Sequence, residues 1–298
     1  MNSKLKKIVT VILALVMVFS LAACGNGGSD DGADGGAKAS PISVISREDG
    51  SGTRSAFTEL MGILVDDVDH TTVNAEISQS TSVVVTTVAG NPKAIGYISM
   101  GAMSDAVKPM KVDGVEATAE NVKAGTYPVS RPFAVCTNDQ LTDVAADFID
   151  YILSAEGQAI VAAEGYITVD DAAPSYETKD GLEGRIVLAG STSVAPVMQV
   201  IADSYKALYD GLGQEMQIEI QQTGSGAGIT STIEKACDIG MSSRALKEEE
   251  LAQGLTEITM AMDGIAVIVN NENAAEDLTS EQIRQIFTGE VTDWNQVQ

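Results

Sequence analysis

Four segments of this chain place Gly, Ser and Thr residues at a point where a strand is predicted to give way to a helix. A helix N-terminus presents unpaired backbone N–H groups with a partial positive charge, and Ser and Thr add hydroxyl donors. Glycine lets the backbone approach a bound oxyanion closely. One such junction would mean little, because Ser and Thr are also ordinary helix caps. Four junctions together predict an anion site, and they lie at residues 47–54, 190–196, 223–229 and 238–244.

An arginine strengthens the first of these junctions. The segment reads Ser46-Arg-Glu-Asp-Gly-Ser-Gly-Thr-Arg54, and the guanidinium of Arg47 is suited to pair with two oxygens of an oxyanion. The adjacent Glu48 and Asp49 could in principle perform acid–base chemistry. Because they lie beside two arginines, we interpret this acidic pair as orienting an arginine by ion pairing.

Catalytic and metal sites find little support in the sequence. His70 is the single histidine and lies in Asp-Val-Asp-His-Thr-Thr, which is typical of a solvated loop. A lone histidine cannot supply a multi-histidine metal site, and no nucleophilic serine is placed beside it. The chain after the N-terminal leader has no Ser-x-x-Lys, Gly-x-Ser-x-Gly or Walker-type Gly-x-x-x-x-Gly-Lys motif. We therefore expect neither an enzyme nor a bound metal or cofactor.

The elements that position these segments alternate between strands and helices, which indicates an α/β architecture with mostly parallel sheets. Strands are predicted over 42–45, 94–98, 186–189, 218–221 and 265–269, and helices over 55–64, 144–153, 194–208 and 229–236. Open α/β sheets bind ligands at the carboxyl ends of their strands, which is where the four junctions would lie. Residues 170–184 are predicted to form a loop that joins two halves.

The N-terminus has the layout of an export signal. Lys4, Lys6 and Lys7 precede an apolar run from Ile8 to Leu21, which is short for a membrane-spanning helix. Leu-Ala-Ala-Cys at 21–24 resembles a bacterial lipobox, and the alternative is an ordinary signal peptide. We predict a signal peptide over 1–23, lipidation of Cys24 and a flexible tether over 24–40, and therefore an extracytoplasmic, membrane-anchored protein.

Composition limits the partners. The formal charge is −24, and removing the three leader lysines leaves 15 basic against 42 acidic residues, or −27. This charge argues against nucleic acid or an anionic membrane surface as partner. Net charge is screened beyond roughly 8–10 Å, so a buried anion remains possible. Cys136 and Cys237 are predicted to be free thiols, although a disulfide between them is the alternative.

Several long motifs resemble those of the phosphate-binding proteins of ABC uptake systems. They are Ser-Arg-Glu-Asp-Gly-Ser-Gly-Thr-Arg, Gly-Ser-Thr-Ser-Val-Ala-Pro, Thr-Gly-Ser-Gly-Ala-Gly-Ile, Asp-Ile-Gly-Met-Ser-Ser-Arg, Ala-Gly-Asn-Pro-Lys-Ala-Ile-Gly-Tyr and Ile-Phe-Thr-Gly-Glu-Val-Thr-Asp-Trp. The resemblance implies a two-lobed periplasmic-binding-protein fold of type II, in which each lobe is a mostly parallel sheet flanked by helices. The lobes close by hinge motion around one inorganic phosphate ion, and the partner is an ABC permease.

The resemblance also implies the residues that touch the ion. In one lobe they are Arg47, Ser51, Gly52 and Thr53, and in the other they are Thr192, Ser193, Ser225 and Ser243. Better-studied members carry an aspartate at the position of Ser243, where it accepts a hydrogen bond from protonated phosphate. A serine does not repel sulfate as a carboxylate would. Asp263 could supply the missing carboxylate or serve as a hinge residue, and Asp49 is a second supporting candidate.

Three functions therefore stay open: a phosphate receptor, a receptor for another tetrahedral oxyanion such as sulfate or molybdate, and a surface or signalling protein on the same fold. The order of the motifs is reversed relative to the family, which indicates a circular permutation. One lobe would then comprise 41–134 plus 264–298, and the other would comprise 135–263. We expect a closed monomer, the alternative being a piece of a tandem array that pairs with a neighbour by domain swapping.

Overall fold

The structure is a computed structural model that describes residues 40–297, so the predicted signal peptide, Cys24 and nearly all of the predicted tether lie outside the described residues. The strands are β1 Ser43–Arg47, β2 Leu64–Val65, β3 Val68–Asp69, β4 Glu76–Ser78, β5 Ala94–Ser99, β6 Val107–Pro109, β7 Lys111–Val112, β8 Ser130–Thr137, β9 Gly184–Gly190, β10 Met216–Gln222, β11 Ile239–Ser242, β12 Thr256–Asn270 and β13 Asp277–Leu278. The α-helices are α1 Gly52–Leu60, α2 Thr81–Ala89, α3 Ala119–Lys123, α4 Asp143–Leu153, α5 Ala155–Ala163, α6 Ala195–Asp210, α7 Ser225–Ile233, α8 Glu248–Leu251 and α9 Ser280–Thr288. Short 3-10 helices cover Met100–Ala102 and Trp294–Gln296.

The predicted strands and helices are present, but two helices begin earlier than the apolar periodicity indicated. Helix α1 starts at Gly52 because the Ser51 side chain caps it, and it ends at Leu60, just before Gly62 reverses the chain at φ +64°. Helix α7 starts at Ser225, four residues ahead of the prediction. Both shifts matter for function, because they place Gly52 and Ser225 in the first turns of helices.

One mixed sheet runs through the described part of the chain, in the order β10-β9-β11-β8-β12-β5-β1-β4, with β6 also pairing with β12. Strand β9 is parallel to β10 and β11, and β1 is parallel to β4 and β5. Strands β8 and β12 are antiparallel to each other and to their outer neighbours. The sheet is therefore less parallel than predicted, because β12 is long enough to pair with β8 at one end and with β5 at the other.

The buried apolar side chains form two large clusters, and the change from one cluster to the other occurs near one end of β8 and in the middle of β12. At β8 the cluster changes between Val129, just before the strand, and Phe133, and along β12 it changes between Ala261 and Ile265. We call the part of the structure that contains β1 and β5 the first half, and the part that contains β9 and β11 the second half. The predicted boundary 263/264 lies within this stretch of β12, whereas the predicted boundary 134/135 lies just beyond it, because Phe133 already packs in the second cluster.

The first and last described segments lie side by side. The N–H of Ile42 donates to the Thr292 carbonyl oxygen at 2.9 Å, and the N–H of Trp294 donates to the Ser40 carbonyl oxygen at 2.9 Å. Elsewhere, Cys136 and Cys237 are free and buried, as predicted. Among residues 40–297, no helix combines the length and the apolar character needed to cross a membrane.

Candidate functional site

Arg47 is the last residue of β1, and its side chain is buried between the two halves. Its Nε and Nη2 atoms each donate to the Glu48 carboxylate at 2.7 Å. Its Nη1 donates to Thr81 Oγ1 at 3.2 Å in the first half, and Nη2 donates to Thr192 Oγ1 at 3.0 Å in the second half. The guanidinium is thus oriented by one carboxylate and directed at hydroxyls from both halves.

The hydroxyls around Arg47 contact one another across the two halves. Thr53 Oγ1 and Thr81 Oγ1 each lie 3.0 Å from Ser193 Oγ, and Thr81 Oγ1 lies 3.4 Å from Thr192 Oγ1. All four side chains are buried. Because each hydroxyl can rotate to donate or accept, this group can turn its donors toward a common acceptor.

Ser225 and Ser243 extend this group on the second half. Their Oγ atoms lie 3.2 Å apart, and the backbone N–H of Ser243 donates to Ser225 Oγ at 3.1 Å. Gly52 of the first half approaches them so closely that a Cβ atom there would lie 2.5 Å from Ser225 Oγ and 2.7 Å from Ser243 Oγ. The absence of a side chain at Gly52 therefore permits the close approach of the two halves.

Four helices point their N-termini at this cluster of hydroxyls. Helices α1 and α2 begin at Gly52 and Thr81, whereas α6 and α7 begin at Ala195 and Ser225. Their unpaired N–H groups carry partial positive charge. The buried Ser51 serves one of these helices as its cap, since its Oγ accepts from the Arg54 N–H at 3.3 Å.

Thr81 and Glu48 were not among the predicted site residues. Thr81 follows β4 in the segment Gln-Ser-Thr-Ser, which has the same order of strand, hydroxyl residues and helix as the four recognised junctions. That pattern could have identified it, although the strand before it is only three residues long. The predicted orientation of an arginine by the acidic pair is present, but Glu48 rather than Asp49 holds Arg47.

Asp49 does not reach the cluster. Its side chain is 99% exposed and pairs with Arg54 Nη1 at 3.0 Å. Arg54 in turn donates from Nε to Asp69 at 2.8 Å and from Nη1 to the Arg47 carbonyl oxygen at 3.0 Å. Arg54 therefore supports the backbone of Arg47. His70, which follows Asp69, is exposed and lies outside the helices and strands, as expected for a loop residue.

Asp263 lies deeper and is fully buried in β12. Its Oδ2 accepts from Arg131 Nε at 3.2 Å and Nη2 at 3.0 Å, and its Oδ1 accepts from Ser99 Oγ at 3.0 Å. Burial raises the pKa of Asp263 to about 6, against the opposing charge of Arg131. Arg131 donates its remaining Nη1 to the Ser243 carbonyl oxygen at 3.0 Å, so Asp263 is linked to the cluster through one intermediate residue.

The chemistry of this arrangement is that of a small anion site. It combines a buried guanidinium, rotatable hydroxyls and helix N-termini, and the adjacent carboxylate of Glu48 is engaged by Arg47. Within residues 40–297 no group of three or more His, Cys, Asp or Glu side chains is arranged to hold a metal ion. A compact oxyanion with several acceptor oxygens matches these donors.

Comparisons with known proteins identify the family. A family model described as a PBP superfamily domain matches residues 28–156 and 169–298. The phosphate-binding protein PstS 2 of Streptococcus agalactiae serotype V is 42% identical over 290 residues, which make up 95% of this chain and 95% of that protein. The phosphate-binding protein PstS of Bacillus subtilis is 34% identical over 138 residues, or 46% of this chain and 44% of that protein.

A solved structure extends the match to three dimensions. The crystal structure of a phosphate-binding protein of a phosphate ABC transporter from Streptococcus pneumoniae is 41% identical, with a TM-score of 0.69. The match covers 87% of this chain and 100% of that one. The predicted family and the predicted periplasmic-binding-protein fold are thereby confirmed. The chain belongs to the PBP superfamily and, within it, to the phosphate-binding proteins of ABC transporters.

Proposed function

We propose that this protein captures inorganic phosphate outside the cytoplasm and delivers it to the membrane permease of an ABC importer. The observation that carries the proposal is Arg47, which is buried and hydrogen-bonded to hydroxyls of both halves. The relatives named above are phosphate-binding proteins, and the one of known structure belongs to a phosphate ABC transporter, which supports a receptor rather than an enzyme. No cofactor enters this function.

Phosphate binding would replace contacts between hydroxyls with contacts to the ion. Arg47 and the hydroxyls of Thr53, Thr192 and Ser193 supply side-chain donors. The first turns of α1 and α7 add backbone N–H groups near Gly52 and Ser225, and the hydroxyls of Ser225 and Ser243 lie beside them. Because donors come from both halves, the ion stabilises their close approach and so favours the closed arrangement. A closed receptor is the form that a permease can distinguish from an empty one.

Sulfate is the competing ligand that tests how the site selects among tetrahedral oxyanions. Ser243 can accept a hydrogen bond from a protonated phosphate oxygen, but it carries no charge that repels sulfate. The carboxylates of Glu48 and Asp263 are both engaged by arginines. A receptor for sulfate or molybdate is therefore the second candidate function.

Isothermal titration calorimetry tests the site. We expect phosphate binding by the wild type, and loss of at least about 100-fold in affinity for Arg47→Ala, because a charge-paired bidentate donor is removed. Arg185→Ala is the matched control, since Arg185 is exposed and pairs with Glu219 far along the sheet. Unchanged affinity in Arg47→Ala would sink the assignment, and tighter binding of sulfate than of phosphate would favour the second candidate.

The attachment and partners of the protein follow from the same proposal. We infer a lipid anchor at Cys24, a permease as protein partner, no nucleic acid partner and a monomeric receptor. Support comes from the leader and lipobox pattern and from the strong negative charge. Mass spectrometry of the exported protein checks the anchor: the mature N-terminal peptide should begin at Cys24 and carry the added mass of a lipid, and an unmodified Cys24 would contradict it.

We further infer that the chain is circularly permuted, with lobes formed by 41–134 plus 264–298 and by 135–263. Two observations support this. Residues 40–42 hydrogen-bond residues 292–294, so the segments that the usual order makes continuous are neighbours in space. The Bacillus subtilis relative matches less than half of either chain, as a collinear comparison of two exchanged segments would, whereas the Streptococcus agalactiae relative matches 95% of both chains and so shares the order of this chain.

A further inference from the structure

Arg131 and Asp263 occupy a particular place in the sheet. They lie opposite each other in the antiparallel pairing of β8 and β12, in the stretch where the hydrophobic core changes from one half to the other. Both side chains are buried, with relative exposures of 2% and 0%. The two long strands therefore carry a buried ion pair at the junction of the halves.

The ion pair is hydrogen-bonded to both halves: Asp263 contacts the first half and Arg131 contacts the second. On the first half, Ser99 of β5 donates to Asp263 Oδ1 at 3.0 Å. On the second half, Arg131 Nη1 donates to the Ser243 carbonyl oxygen at 3.0 Å, and the guanidinium lies 5.2 Å from the centre of the Phe133 ring. A continuous chain of hydrogen bonds thus runs from β5, through the ion pair, to the loop that carries Ser243.

We propose that Arg131 and Asp263 are positioning residues for the oxyanion site, which hold Ser243 in its binding position and tie that position to the arrangement of the two halves. The inference rests on the proposed function. Neither residue touches the hydroxyls around Arg47, so both act through the loop at Ser243. That loop also determines where Ser225 lies, because the Ser243 N–H donates to Ser225 Oγ.

The physical reason is that a buried ion pair contributes much less free energy when intact than it costs to separate. A buried ion pair contributes little by itself, but separating its members leaves each charge without a partner in a poorly polarisable interior, which is strongly unfavourable. Arg131 uses Nε and Nη2 for Asp263 and keeps Nη1 for the Ser243 carbonyl. The planar guanidinium therefore fixes the direction of that third bond relative to the two strands.

Calorimetric phosphate titrations of three variants test the proposal. Asp263→Asn removes the charge at nearly constant shape, Arg131→Lys keeps the charge but loses the planar fork, and Ser99→Ala removes only the distant hydroxyl. We expect affinity to fall about 10-fold or more in the first two and about 3-fold in the third, in the range of coupled contacting residues. Asp171→Asn is the control, because Asp171 belongs to an exposed pair with Lys123 and should change nothing.

A double-mutant cycle separates positioning from general destabilisation. In a background that carries both Ser225→Ala and Ser243→Ala, the further losses from Asp263→Asn and Arg131→Lys should shrink to less than about 3-fold, because both hydroxyls that they position are gone. Equal losses in both backgrounds, or wild-type affinity in the single variants, would overturn the proposal. If Asp263→Asn does not fold, Arg131→Lys decides by the same criterion.

The outcome is distinguishable from failure of the proposed function. Wild-type protein that binds no phosphate contradicts the receptor function itself. Wild-type protein that binds phosphate, together with Arg131 and Asp263 variants of unchanged affinity, contradicts only the positioning role.

Discussion

At the scale of single residues, Gly52 shows how a missing side chain shapes the site. Any Cβ there would overlap the hydroxyls of Ser225 and Ser243, which belong to the opposite half. We expect Gly52→Ala to lower phosphate affinity about ten-fold or more, since overpacking of this kind commonly costs about 1–3 kcal/mol. Calorimetry checks this, with Gly90→Ala at an exposed helix end as control. Wild-type affinity in Gly52→Ala would mean that the halves need not approach so closely.

Thr81 is the residue-scale test of a contact that motif reasoning missed. Its hydroxyl bonds Arg47 and Ser193 and lies in the first turn of α2. Thr81→Val keeps the shape and removes the hydroxyl, so we expect about a ten-fold loss of phosphate affinity, the size of one buried hydrogen bond to a charged group. Thr86→Val in the same helix is the matched control, because Thr86 is exposed and bonds only its own helix. Equal affinities of the two variants would remove Thr81 from the site.

At the scale of elements, the segment after α5 is fastened to α4 and α6 by one carboxylate. Tyr176, Tyr205 and Tyr209 all donate to Asp147 Oδ2, and Lys179 Nζ lies 2.7 Å from Oδ1. Burial alone would raise the pKa of Asp147. The donors outweigh burial and hold the pKa below its usual value of 3.8. The predicted 170–184 loop is thereby held against the helices.

The sign of this pKa shift predicts a pH dependence of stability. A carboxyl whose pKa is depressed by folding stabilises the native state above its unfolded pKa, and that contribution is lost as the pH falls through the folded value. Asp147→Asn should therefore lower the free energy of unfolding by about 2 kcal/mol at pH 7, with the difference from wild type shrinking below pH 4. Urea denaturation at several pH values measures this. Asp150→Asn, an exposed neighbour of Lys179, should have a much smaller effect, and a pH-independent difference for Asp147→Asn would contradict the prediction.

At the scale of the whole molecule, the ligand should hold the two halves together. A ligand that binds only the native state stabilises it by about 2.7 kcal/mol at 100 times its Kd, so phosphate should raise the melting temperature in a concentration-dependent manner. Differential scanning calorimetry with phosphate, sulfate and chloride separates the candidates. The absence of a shift with any oxyanion would favour the surface or signalling alternative.

The proposed permutation makes a second prediction for the whole molecule. A chain that starts at Gly181, ends at Asp180 and joins residue 297 to Ser40 through a short Gly/Ser linker should fold and bind phosphate with nearly wild-type affinity. The join is short because residues 40–42 already pair with 292–294, and the cut lies in an exposed turn. Affinity more than about ten-fold weaker in the folded, re-ordered chain would show that the present order contributes to the pocket.

The sequence alone indicated the α/β class, the family and most residues of the cluster, because the signals involved are local. A strand followed by Gly, Ser and Thr and then a helix needs only a few consecutive residues, and Arg47 lies inside such a segment. The same local character explains why helix starts were misplaced by a few residues: Gly226 and Gly228 interrupt the apolar pattern of α7, although the helix has begun.

Only the tertiary structure decided which of these residues meet. Sequence leaves open which of two neighbouring carboxylates holds Arg47. The remaining contacts join residues that are far apart in sequence: Thr81 with Arg47, β12 with strands on both sides, and Asp263 with Ser243 through Arg131. An arginine has the same donors whatever lies around it, so its partners depend on where distant backbone places acceptors and excludes water. Local sequence therefore specified the kinds of donor in this site, and the packing of the two halves specified their geometry.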